Sequence, residues 1–135
     1  MSFPHYVTWQ EGVMWRERVL KIVLLLVGLI FLATVYPLTI FFRQDPALAM
    51  MMSLYVTLGI FLLIAVRNPS TNRSLIAFTA WSSFAHGAVM AVQALKNMIE
   101  RTELIGSAVL VIIGVALIAL APAKPAGERI SAAGA

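Results

Sequence analysis

The 135-residue chain contains no cysteine, which excludes disulfides, thiolate metal sites and cysteine nucleophiles and leaves the redox compartment unread. Charge is scarce: Asp, Glu, Lys and Arg make up 12% of the residues, and only six are acidic. None of the six falls inside the four long apolar runs set out below. Those runs therefore offer no paired carboxylates for acid–base work, no acidic metal cage and no carboxylate to carry a proton or couple a cation. Glycine-rich phosphate loops are missing, and no internal repeat is evident. The formal net charge of +4 comes from ten Lys and Arg scattered at the ends of apolar runs. They form neither cluster nor stripe, so no nucleic-acid partner is expected.

What the chain has in abundance is apolar surface. With 61% hydrophobic residues and a mean hydropathy of +0.90, it holds more than one soluble core of this size can hide. Lipid is the solvent that resolves this. Four runs free of charge can be marked at 22–42, 46–66, 75–95 and 104–123. Each is about 20 residues, enough at ~1.5 Å per residue for a helix to cross the ~30 Å hydrocarbon layer. Backbone groups find no water there, so these continuous runs must be helices. The expected fold is all-α: an integral membrane four-helix bundle, preceded by an interfacial segment over 1–21 and followed by a loosely ordered tail over 124–135. The first run is read as retained, because "TVYPLTIFF" continues it without a cleavage motif.

The connections carry their own signals. Asp45 is placed to cap the second helix, with Pro46 at its first position, and Asn68 with Pro69 repeats the pattern before the third. Seven Lys and Arg (Arg16, Arg18, Lys21, Arg67, Arg73, Lys124 and Arg129) fall on one side of the four runs, against Arg43, Lys96 and Arg101 on the other. By the positive-inside rule both termini are cytoplasmic. Tyr6, Trp9 and Val13 share helical spacing and read, with Trp15, as an anchor at the headgroups; His5 carries no functional reading.

The third run holds the main polar constellation. At about 100° per residue, Thr79, Ser82, Met90, Gln93 and Asn97 all fall within about 40° of His86, forming one stripe. Beside it, Ser83, Gly87 and Ala91 make a small-residue ridge that admits another helix at close range. Trp81 and Phe84 point to a different side. Tyr55 lies at the depth of His86, so a Tyr55–His86 hydrogen bond supported by Ser53, Thr57 or Ser82 is expected, since unpaired polar groups are costly in hydrocarbon. Gly114, at the middle of the fourth run, leaves room for a neighbour.

An intramembrane histidine without an acidic partner most often holds helices in register, while a proton or quinone site is the functional alternative. Haem ligation would need a second axial ligand from another copy, because His86 and Met90 sit one turn apart on one helix. Ser82 and Ser83 lack the acidic residue of a hydrolase triad. Met50, Met51 and Met52 point in three directions on a helix, so packing is preferred to copper binding. No cofactor and no metal are predicted, with quinone or haem the options left open.

The stretch "NPSTNRSLIAFTAWSSFAHGAVMAVQAL", Asn68 to Leu95, resembles a family of small four-span bacterial membrane proteins known only as a domain of unknown function. The opening "LKIVLLLVGLIFLATVYPL" is similar to the first helix of DoxX-like proteins, some of which accompany quinone-reducing oxidoreductases. The first resemblance implies fold and membrane location and supplies no catalytic residue; the second favours a quinone by analogy. The sequence therefore points to a multi-pass protein of the bacterial inner membrane, in contact with lipid and with a membrane protein partner or further copies of itself. Its leading role is that of a non-catalytic accessory or scaffold subunit, or a small homo-oligomer. The alternative is a quinone- or lipophilic-ligand-binding component of a redox system, using Tyr55, His86 and Gln93. Transport ranks third, since four spans without acidic residues form a poor pathway.

Overall fold

A computed structural model describes the backbone of residues 4–123 and the side chains of residues 11–123. The anchor side chains Tyr6 and Trp9, His5, and the tail over 124–135 with Lys124 and Arg129 lie outside the described residues. Five helices follow one another: α1 Pro4–Ala33, α2 Val35–Phe41, α3 Pro46–Ala65, α4 Arg73–Leu95 and α5 Glu103–Leu120. No strand occurs among the described residues. Four stretches are long and apolar enough to cross a bilayer: Glu11–Phe41, Pro46–Ala65, Arg73–Leu95 and Glu103–Leu120.

The first expected span is thus two helices in one crossing. Pro37 has no N–H to give the carbonyl of Ala33 and its ring crowds that carbonyl, so the ladder breaks one residue on, at Thr34. Thr34 Oγ1 donates to the Phe31 carbonyl at 2.6 Å. At its other end α1 runs without interruption through Lys21, so the interfacial segment and the span are one helix.

The turn chemistry agrees with the sequence at Asp45 and departs from it at Asn68 and Asn97. Asp45 caps α3 as expected, accepting from the Leu48 N–H at 3.0 Å, with Pro46 at the first position. Asn68 does not cap α4, whose N-cap is Asn72 without a side-chain bond. Instead Asn68 organises the α3–α4 turn: its Oδ1 accepts from Ser70 at 2.7 Å, and its carbonyl accepts from Thr71 Oγ1 and Asn72 Nδ2. The "KNMIERTEL" connection contains the third device. Asn97 adopts φ 53°, the Met98 N–H reaches back to the Gln93 carbonyl and the Asn97 N–H to that of Ala94. This is a Schellman stop with asparagine in the left-handed position. Asn97 therefore lies beyond the end of α4, off the stripe to which its spacing assigned it.

Packing proceeds by hairpins. The most extensive contacts are α4 with α5 and α1 with α3; α1 and α5 join the two hairpins, while α3 and α4 touch sparingly. The core is a row of α1 residues at spacings of four and three, Leu20, Leu24, Val27 and Phe31, meeting Leu62, Ile76, Ala80, Ile113 and Leu117 from the other helices. Glycines set how closely each hairpin closes. A Cβ on Gly59 would lie 2.7 Å from the Leu32 nitrogen and 2.8 Å from the Gly28 carbonyl oxygen, so α1 and α3 cross backbone to backbone. In the second hairpin the Phe84 ring fills the space over Gly114, with its Cε1 2.7 Å from where a Cβ would stand. The room at Gly114 is thus occupied by Phe84, which turns toward α5, whereas Trp81 stays exposed.

Candidate functional site

The polar stripe of α4 divides according to which neighbour each residue meets. Thr79 is fully buried and Ser82, His86, Met90 and Gln93 are half-buried. The ridge beside the stripe faces α5: Ser83 is 3% exposed and Gly87 is buried. Ser107 of α5 donates to the Gly87 carbonyl at 2.6 Å. A Cβ on Gly87 would come within 3.2 Å of the Ser107 carbonyl oxygen. Two of the three ridge residues, Ser83 and Gly87, are therefore sealed inside the chain, while Ala91 remains half-buried. Met90 leans the same way, its methyl 3.4 Å from where a Gly106 Cβ would stand.

On the opposite shoulder, α4 faces α3 across the sparse seam between the hairpins. Tyr55 and His86 meet there, ring centroids 5.5 Å apart and planes at 82°, and Tyr55 also stands edge-on to Phe31 of α1 at 4.9 Å. This is an edge contact of the kind aromatic quadrupoles favour. The hydrogen bond expected between Tyr55 and His86 is not formed. Nor do the proposed supporting hydroxyls assist: each donates within its own helix, Ser53 to the Met50 carbonyl, Thr57 to that of Ser53, and Ser82 to that of Thr79. Thr79 and Ser83 do the same with Leu75 and Thr79. Back-bonding of this kind satisfies a hydroxyl in lipid without a partner helix.

The seam brings Tyr55 and His86 together and leaves Gln93 and Thr79 apart from them, each about 10 Å along the axis from His86 at ~1.5 Å per residue. Both rings sit near the middle of their helices, and neither side chain has a hydrogen-bond partner among the described residues. Ser107 is the buried polar residue that sequence reasoning missed. Its signal was present: Ser107 and Gly114, seven residues apart, present two small residues on one face of α5. No group of three or more His, Asp or Glu able to hold a metal ion occurs among the described residues.

Four apolar spans with charges toward their ends, and serine and threonine hydroxyls bonded mostly within their own helices, define a small multi-pass membrane protein. Within that class, residues 14–133 match the sequence profile of a family of unknown function, DUF6632, and the chain belongs to that family. No curated protein and no solved structure matches the chain.

Proposed function

We propose that this protein is a non-catalytic accessory or scaffold subunit, or a small homo-oligomer, of the bacterial inner membrane, with both termini cytoplasmic. Its assembly contact runs along the α3–α4 seam. The observation that carries this reading is that Tyr55 and His86 lie at mid-membrane depth on a half-open seam without a hydrogen-bond partner in the described chain. Polar groups in hydrocarbon gain by pairing across helices. The small-residue ridge supports the choice of seam indirectly, since α5 already occupies Ser83 and Gly87.

A photoreactive residue at position 82, on the seam, should yield protein adducts in native membranes. The same residue at position 118, on the exposed face of α5, should yield lipid adducts. His86→Gln, which keeps a polar donor, should leave the adducts at position 82 intact. Lipid adducts alone from position 82 would overturn the reading.

A second reading assigns the seam to a lipophilic ligand such as a quinone, held by Tyr55 and His86 with Gln93 toward one end. The adjacency of a phenol and an imidazole with no bond between them supports it, because both remain available to a carbonyl or hydroxyl of a ligand. Mass spectrometry of small molecules extracted from the purified protein, together with its visible spectrum, decides this. A stoichiometric quinone lost on His86→Ala would establish the ligand; an empty, colourless protein would exclude it.

A further inference from the structure

We infer that the membrane-surface end formed by α1, the α3–α4 turn and the end of α5 holds one anionic phospholipid by its phosphate, with Arg16 as the principal contact. A cavity of about 310 Å³ lies there, lined by Leu20, Ala121 and Pro122 together with the polar residues Arg16, Glu17 and Ser70. That volume is at the lower end of the roughly 300–1,000 Å³ of small-molecule sites, enough for a polar headgroup.

The charges of the surrounding residues favour an anion. Glu17, the carboxylate at the cavity, is engaged by Lys21 at 2.8 Å. Arg16 is bound to a neutral group: its Nη2 donates to the Ala119 carbonyl at 3.1 Å, at the C-terminal turn of α5. That is its one side-chain hydrogen bond among the described residues, and no carboxylate there pairs with it, so the other donors of the guanidinium fork are open to an anion. Among the described residues this end is positive. Arg16, Arg18, Lys21, Arg67 and Arg73 stand there against Glu11 and Glu17, whereas at the far end Arg43, Lys96 and Arg101 are balanced by Asp45, Glu100 and Glu103. Arg73 adds to the uncompensated charge, its buried Nε having no partner. A guanidinium lining a largely apolar cavity at this charged end of the spans suits a lipid phosphodiester.

Native mass spectrometry of the full chain, taken from bilayers of phosphatidylcholine with a minority of phosphatidylglycerol, tests this. The wild type should retain one phosphatidylglycerol in preference to phosphatidylcholine. Arg16→Gln should lower that preference about tenfold, the scale of one charge-assisted contact. Arg18→Gln, at a residue that does not line the cavity, should change it less than twofold. Because Arg16 also ties α1 to α5, Ala121→Phe provides a second test that fills the cavity and keeps every charge; it too should lower the preference about tenfold or more. Retention of the lipid by Arg16→Gln or by Ala121→Phe, or an equal loss with Arg18→Gln, would overturn the site in favour of diffuse surface attraction.

Discussion

Replacing Gly59 by alanine is the sharpest test of the backbone crossing between α1 and α3. The added Cβ would stand 2.7 Å from the Leu32 nitrogen and 2.8 Å from the Gly28 oxygen, with the Phe31 carbonyl carbon at 3.1 Å. All three are backbone atoms, so no side chain can swing aside. To reach ordinary contact the helices must part by about 0.7 Å, which loosens dispersion contacts along the whole crossing. Overpacking of this kind costs about 1–3 kcal/mol, and a rigid backbone target puts it toward the upper end. Alanine's better helix propensity returns up to about 1 kcal/mol. The expected net loss is about 2 kcal/mol. Reversible unfolding in mixed micelles, titrated with a denaturing detergent, measures it. Gly12→Ala is the control, because a Cβ there meets nothing within 4 Å; it should be neutral or stabilising by up to about 1 kcal/mol. A Gly59→Ala protein as stable as the wild type would refute the crossing.

Three further outcomes are expected from the same unfolding measurement. Ser107→Ala removes the bond to the Gly87 carbonyl and should cost about 0.6 kcal/mol, the typical worth of an interhelical hydrogen bond in a membrane; a loss above about 2 kcal/mol would mean that Ser107 does more than this contact. Asn97→Val should cost about 1–2 kcal/mol because of the left-handed backbone, and Asn97→Gly should not; equal effects would show that the Schellman stop is not in place. Tyr55→Phe keeps the ring against Phe31 and His86 and removes only a hydroxyl that bonds to neither, so stability should change by less than about 0.5 kcal/mol. A loss of 1–2 kcal/mol would restore the hydrogen bond expected from sequence.

The helices were legible because bilayer thickness and apolar run length are the same fact in two forms. The expected 46–66 and 75–95 correspond to Pro46–Ala65 and Arg73–Leu95. Asp45 was legible too, since its cap is a contact between residues three apart. What the sequence could not convey was which neighbour each face meets. Ser83, Gly87 and His86 lie on adjoining rows of one helix, and spacing alone cannot say that α5 takes the first two while α3 meets the third. The Tyr55–His86 hydrogen bond was inferred from equal depth, but depth fixes only one coordinate of a side chain. Asn97 was placed on the stripe by extrapolating the helical angle past Leu95, where the chain had already turned.

The glycine crossings also bear on the order in which the protein is made. The contacts that close α1 onto α3 lie between residues 28 and 63, so the leading hairpin has its complete set of fitting surfaces once residue 65 has entered the bilayer. The hydroxyls of Ser53 and Thr57 wait for nothing downstream, because both are bonded within α3. The trailing hairpin is equally self-contained, with Ser107 on Gly87 and Phe84 on Gly114. Biogenesis can therefore proceed as two insertions followed by one docking, in which α1 meets α5 and the sparser seam at Tyr55 and His86 closes between the hairpins.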